Sequence, residues 1–280
     1  MAGRSSFASL PLTAYARRMA DEEVRLDGGG RTEVHRRGDV VYRAAGPWSA
    51  TVLGLLRHLA AEGLDFTPRV VGNGFDERGR ETLRFIEGGF VHPHPWSRDA
   101  LFDLGVMLRR LHDAAATFRP PTDAVWAPWF GRVLDTGRPV IGHCDASPWK
   151  IVVRNGRPVG LIDWDTAGPV DALTELGQVC WLNAQLHDDD VAANVGLASP
   201  EDRAKDLAAI CQGYGLARTD RAALVDAMIQ ISTLDAADQA IQAGITMRST
   251  DPRPLWGLAW RTRAAGWMIR HRDLLVAATC

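Results

Sequence analysis

Gly142-His143-Cys144-Asp145-Ala146-Ser147-Pro148-Trp149-Lys150-Ile151-Val152-Val153, with Leu161-Ile162-Asp163-Trp164-Asp165 downstream, is the stretch whose reading decides the fold of this chain. Asp163 follows Asp145 by 18 residues. Short apolar runs flank both carboxylates: Val140-Ile141 before the first, Ile151-Val152-Val153 after it, and Val159 to Ile162 before the second. Asn155-Gly156 is a turn signal between the last two runs, so they read as a β-turn-β unit. Each carboxylate then sits beside a strand and is held rigidly. One can take a proton from a hydroxyl while the other holds a cation. Phosphoryl transfer asks for little more than positioning, an orienting carboxylate and cations on the phosphates.

Upstream, residues 1–20 read as a lead-in. Val24-Arg25-Leu26, Thr32 to Arg36 and Val40 to Arg43 read as short strands, with Asp27-Gly28-Gly29-Gly30 and Gly38-Asp39 as breaks. Gly46-Pro47 punctuates the chain, and Val52, Leu55, Leu56 and Leu59 then share one face of a helix over 48–61. Arg69 to Gly72 and Glu81 to Ile86 read as two more strands joined by a turn over 76–80. Glu87-Gly88-Gly89 is the expected hinge.

From residue 97 the pattern is mostly helical. Ser97 is an N-cap, and Leu101, Leu104, Leu108 and Leu111 recur at helical spacing. Further helices are expected over 171–186, 199–213, 219–244 and 253–278, with Ser199 and Asp202 as a capping pair. The expectation is an α+β, bilobal architecture. Residues 21–87 form a sheet-rich nucleotide-binding lobe with one helix. Residues 88–280 form a larger helical lobe carrying the β-loop-β insertion, the catalytic centre and the acceptor site.

Composition narrows the function. The 280 residues are 46% hydrophobic with net charge −2, which gives a sizeable core and no global field for nucleic acid. Four scattered cysteines show no metal spacing and no secreted disulfide pattern, so a reducing cytoplasm is expected. No apolar stretch reaches membrane-spanning length. Lys150 and Lys205 are the only lysines, so any chemistry needing one has two candidates.

His143-x-Asp145 followed by β-turn-β and Ile162-Asp163-Trp164-Asp165 resembles the catalytic and metal segments of the aminoglycoside phosphotransferase family, which share the protein-kinase-like fold. Leu104 to His112 resembles that family's helix before the catalytic loop, and Gly46-Pro47-Trp48, Thr67 to Val70 and Phe85 to Gly88 resemble its small-lobe and hinge segments. The resemblance implies an ATP- or GTP-dependent kinase acting on a small-molecule hydroxyl, with Mg2+. Asp145 would be the catalytic carboxylate and His143 a residue that packs the loop. Asp163 would bind the metal, with Asp165 as a second metal ligand or a supporting residue. Phe85, Ile86 and Glu87 would offer backbone groups to the base, and Gly28, Gly29 and Gly30 would lie over the phosphates.

Three positions depart from the family pattern. The family has a metal-binding asparagine where this chain has Lys150. An ammonium only donates, and at about 4 Å two like unit charges repel by roughly 4 kcal/mol at an effective dielectric near 20, doubled for a divalent ion. The small lobe has no lysine, and Arg43 is the replacement for the phosphate-pairing one. Residues 47–61 hold no carboxylate to pair with Arg43, and Glu62 lies at the helix end. Lys150 could act as a fixed cation, could salt-bridge Asp145 or Asp163 and shut the site, or could be a single altered position on an intact scaffold. The alternatives to an active kinase are therefore a pseudokinase-like binding protein or a redirected transferase.

Other residues carry plainer readings beside functional ones. Gly28 to Gly30 also fit a hairpin turn, and Arg43 an exposed strand arginine. Cys144 invites a nucleophile role, without an acyl-transfer context. His92-Pro93-His94 reads as a proline-ordered surface loop or as a pair of metal-coordinating histidines. Asp188-Asp189-Asp190 reads as a solvated turn or as the wall of a pocket for a cationic acceptor. Trp256, Trp260 and Trp267 read as packing residues on one helical face.

Overall fold

A computed structural model of the protein describes residues 22–26 and 33–279. Gly28, Gly29 and Gly30 lie outside the described residues. By internal packing the described chain divides into two units, one containing residues 22–26, 33–46 and 68–85, the other 47–67 and 86–279.

The first unit is an antiparallel sheet of β1 (Val24–Arg25), β2 (Val34–Arg37), β3 (Val40–Arg43), β4 (Val70–Phe75) and β5 (Glu81–Arg84), in the order β1-β2-β3-β5-β4. The turn before β5 forms because the Asp76 carboxylate accepts from the backbone of Arg78 and Arg80. The β3–β5 register places Arg43 opposite Glu81, and their side chains pair at 3.3 Å, both buried. Arg43 is therefore not an exposed strand arginine, and the carboxylate missing from 47–61 comes from β5 instead.

Removing one member of a buried ion pair strands the other's charge. Glu81→Ala is expected to cost about 3 kcal/mol. The apolar double replacement Arg43→Met with Glu81→Leu should cost far less. Urea melts check both, and a Glu81→Ala curve superimposable on the parent would refute the assignment.

The second unit opens with α1 (Ser49–Ala61), whose buried face includes the expected Val52, Leu55, Leu56 and Leu59. The sequence reading grouped this helix with residues 21–87. In the structure it packs with the helical unit: the Val125 amide donates to Thr51 Oγ1, and His58 Nε2 lies 3.0 Å from the Ala114 carbonyl. Next comes α2 (Arg98–Ala115), capped by Ser97 Oγ, which accepts from the Ala100 amide. It packs against α5 (Pro200–Tyr214) at backbone contact. A Cβ on Gly105 would lie 2.2 Å from the Ile210 carbonyl oxygen, and one on Gly213 2.0 Å from that of Phe102. Only glycine allows this approach.

Between those helices lie β6 (Pro139–Gly142), β7 (Ile151–Arg154), β8 (Arg157–Leu161) and β9 (Gly168–Asp171). The hairpin β7–β8 turns at Asn155-Gly156 as expected. β6 does not join it; it pairs antiparallel with β9, a strand that the Gly-Pro content of 168–171 conceals. Then follow α3 (Ala172–Asn183), α4 (Asp189–Val195), α5, α6 (Arg221–Gln242), α7 (Pro252–Arg270) and α8 (Arg272–Ala278). The helix expected over 253–278 is thus two, broken at His271. The short α4 covers Asp189 and Asp190, where the sequence suggested a turn. No helix among the described residues is long and apolar enough to cross a membrane.

Candidate active site

β6 ends at Gly142, where Glu175 of α3 leaves no room for a side chain. A Cβ there would lie 1.8 Å from Glu175 Oε2. Glu175, in the first turn of α3, is fully buried, and its Oε1 accepts from the amides of His143 and Cys144, each at 2.7 Å. His112 Nε2 donates to Oε2 at 2.7 Å, and His112 Nδ1 meets the Tyr214 hydroxyl at 2.8 Å. Burial opposes the carboxylate, but the His112 hydrogen bond and charge and the Cys144 amide outweigh it and hold its pKa below the ordinary glutamate value.

The loop then passes through Cys144 in the left-handed region, φ 64°. The Cys144 thiol is wholly buried, and burial first, then Glu175, pushes its pKa well up. It stays a thiol, which removes the nucleophile reading.

His143 is also fully buried. Its Nδ1 accepts from the Asp145 amide at 3.2 Å, so Nε2 carries the proton and donates to the Ile162 carbonyl at 3.0 Å. Its ring stands edge-on to Trp164, centroids 4.7 Å apart. Burial first, then the Lys150 charge, lowers its pKa, so the neutral form persists at neutral pH. His143 therefore ties the 143–145 loop to the 162–164 segment.

That segment is aligned by the hairpin. The Ile162 amide donates to the Lys150 carbonyl at 3.0 Å, one step beyond β8, so Asp163 emerges beside Lys150. Asp163 takes a left-handed backbone, φ 67° and ψ 64°, a costly conformation for a residue with a side chain. The result brings three charged groups together. The Lys150 ammonium pairs with Asp145 Oδ2 and lies 2.8 Å from Asp163 Oδ2. Lys150 is largely buried. Burial lowers its pKa, but Asp145 and then Asp163 more than offset this, and the net shift is upward, so it is an ammonium.

Asp165 Oδ1 accepts from the Trp48 indole at 3.2 Å. Asp163 and Asp165, expected as metal ligands, are thus engaged by Lys150 and by Trp48. A divalent ion held between Asp145 and Asp163 would need the volume that the ammonium fills. No group of three or more His, Cys, Asp or Glu among the described residues is arranged to hold a metal. The donor set does not fit Mg2+ at that position.

Of the other expected site residues, Phe85 lies under the Arg36 guanidinium at 3.7 Å and its amide donates to the Asp39 carbonyl. Ile86 packs on Gly160, and the Glu87 carbonyl accepts from Arg154 at 3.0 Å. His92 sits edge-on to Trp149 at 5.3 Å. The acidic run does not wait for a cationic ligand: Arg263 reaches Asp188 and Asp190, Arg270 reaches Asp188, and the Trp267 indole donates to Asp189. Trp267 is fully buried and Trp260 lies tilted against Trp181, ring centroids 5.5 Å apart, while Trp256 stays half exposed. Glu175 is the site residue that the sequence did not disclose. The available signal was a lone carboxylate inside the apolar helix Ala172 to Asn183, every residue of which is buried.

Comparison with known proteins bears on the family and the fold. The sequence model of the phosphotransferase enzyme family (APH) matches residues 122–224, which span the loop, the hairpin and α3. The chain is 59% identical over 258 residues to the trifolitoxin immunity protein of Rhizobium leguminosarum bv. trifolii, covering 92% of this chain and 99% of that protein. Among solved structures it is similar to the amicoumacin kinase hAmiN in complex with AMP-PNP, Ca2+ and Ami, with TM-score 0.66 and 12% identity over 92% of this chain and 94% of that one. It is similar also to a choline/ethanolamine kinase family protein from Mesorhizobium loti, with TM-score 0.60 and 17% identity over 95% and 98%. At such identities the structural likeness speaks for the fold alone. Sequence and fold together place the chain in one group: it belongs to the aminoglycoside phosphotransferase (APH) family, built on the protein-kinase-like fold.

Proposed function

We propose that the protein is an ATP-dependent phosphotransferase that phosphorylates a hydroxyl group of a small molecule. The observation that carries this is the convergence of Asp145 and Asp163, from two different loops, on one ammonium. Two carboxylates and a cation fixed at one point by buried hydrogen bonds are what phosphoryl transfer needs for positioning. In this reading Asp145 orients the acceptor hydroxyl and takes its proton. His143 positions Asp145 through the 3.2 Å amide contact. Lys150 supplies positive charge for phosphate oxygens, as an ammonium donor. Arg43, held by Glu81, pairs with phosphate in the sheet unit, and the backbone of Phe85 to Glu87 serves the base. Magnesium is not assigned to the position that the ammonium fills.

The family and the AMP-PNP complex of the amicoumacin kinase support a nucleoside triphosphate as donor. The 59%-identical relative is named for immunity to trifolitoxin, which brings that toxin into the acceptor panel beside aminoglycosides and amino alcohols. The test is transfer of labelled γ-phosphate from ATP, and separately GTP, to this panel. Labelled acceptor is the expected result.

The Lys150 contacts favour a second reading, a nucleotide-binding protein without turnover. It predicts that ADP binds but that no acceptor is labelled. Absence of nucleotide binding in both the parent and Lys150→Asn would refute both readings.

A further inference from the structure

We infer that Lys150 is a resident cation: its ammonium holds the cation position between Asp145 and Asp163, so the chain carries its own positive charge there in place of a divalent ion. The consequence for nucleotide binding rests on the phosphotransferase reading; the position itself does not.

The geometry carries it. Lys150 immediately precedes β7, its carbonyl paired with the Ile162 amide and its own amide donating to the Ser147 carbonyl at 2.9 Å. Both ends of the residue are fixed, so the side chain leaves in one direction. There it meets Asp145, whose amide is held by His143, and Asp163, held in a left-handed backbone. The side chain is only 17% exposed. Two carboxylates and one ammonium leave a net charge of −1 at this point. An ion arriving from solvent would have to displace a covalently attached cation already inside hydrogen-bond distance. Glu175 anchors the amides of residues 143 and 144, which lead into Asp145. The same ammonium can donate to a phosphate oxygen while still facing one carboxylate, since it has three protons.

Two measurements test this on the full chain. The first is Mn2+ uptake without nucleotide, read by electron paramagnetic resonance. The parent is expected to take up no Mn2+ at this position. Lys150→Asn should take up one ion, lost again when Asp163→Asn is added. Parent uptake that Asp163→Asn abolishes would overturn the inference, and so would a folded Lys150→Asn that takes up none. The second is ADP binding by calorimetry, with Mg2+ and with EDTA. Parent affinity should change by less than about threefold, while Lys150→Met should lose about tenfold or more in EDTA, the scale of one charge-assisted hydrogen bond. A parent that loses about tenfold or more in EDTA would overturn the consequence for nucleotide. If no form binds ADP, the phosphotransferase reading falls, and the Mn2+ result still decides the inference. Thermal melts of each variant confirm folding.

Discussion

Asp145→Ala is expected to abolish phosphoryl transfer while leaving nucleotide affinity nearly unchanged. A positioned general base contributes typically 10²- to 10⁴-fold, and loss of the group that also orients the hydroxyl puts the expected drop at about 10³-fold or more. Nucleotide affinity should stay within about threefold, because the proposed role of Asp145 is toward the acceptor hydroxyl and Lys150 keeps Asp163 as its partner. The fold should survive as well: Asp145 is partly exposed, and the amide that meets His143 belongs to the backbone and persists in alanine.

Asp145→Asn separates shape from charge. It keeps an oxygen toward Lys150 but cannot take the proton, so it should be as inactive as alanine. Initial rates with the accepted acceptor, and ADP calorimetry, read the two effects separately. A variant within about tenfold of the parent rate would remove Asp145 as the base. If the parent itself does not turn over, the same pair of variants belongs in the Lys150→Asn background, where a restored rate must again depend on Asp145.

How far the sequence carried the reading depends on the distance over which each contact is specified. The loop and the hairpin were legible because their determinants are local. Runs of Val, Ile and Leu flank Asn155-Gly156, and the carboxylates follow strand ends by three residues (Asp145) and two (Asp163). The faces of α1 and α2 were legible for the same reason, since leucine spacing follows the helical period. Glu81 and Glu175 were not. Glu81 meets Arg43 only through the β3–β5 register, which no local pattern encodes. Glu175 serves the loop across 32 residues, and within its own helix it interrupts an apolar run without any polar face to announce a role. β9 was hidden because Gly168-Pro169 argues against a strand, although an edge position needs few ladder bonds. The break at His271 was hidden because no Gly or Pro marks it. Lys150 shows both sides of this. Its identity and the choices open to it could be read from the sequence, but the choice among them could not, because pairing with Asp163 depends on the Ile162–Lys150 backbone bond.

Glu175→Ala carries the largest expected stability effect. The carboxylate is fully buried and accepts three hydrogen bonds, from the His143 and Cys144 amides and from His112. Alanine leaves all three donors facing a cavity, and stranding buried partners of a charged group costs roughly 3–5 kcal/mol. For a chain of this size that corresponds to a melting shift on the order of 10 °C downward. Glu175→Gln is the finer test. It keeps the size but presents one acceptor oxygen to contacts that use two, and its own amide protons would face the donors. The folded state holds Glu175 below its ordinary pKa, so its contribution is present above the unfolded-state pKa and is lost as pH falls through the folded one. The parent's advantage over Glu175→Gln should therefore be full near neutrality and shrink below the ordinary glutamate range, where the parent carboxyl protonates as well. Urea melts at neutral and acidic pH measure this directly. An advantage independent of pH would mean that charge is not what Glu175 provides. A destabilisation under about 1 kcal/mol for Glu175→Ala would mean that the loop is held elsewhere. Transfer activity should fall in both variants even below their melting points. The amides of residues 143 and 144 set where Asp145 begins, and an unanchored loop lets it drift from the position that Lys150 and Asp163 define.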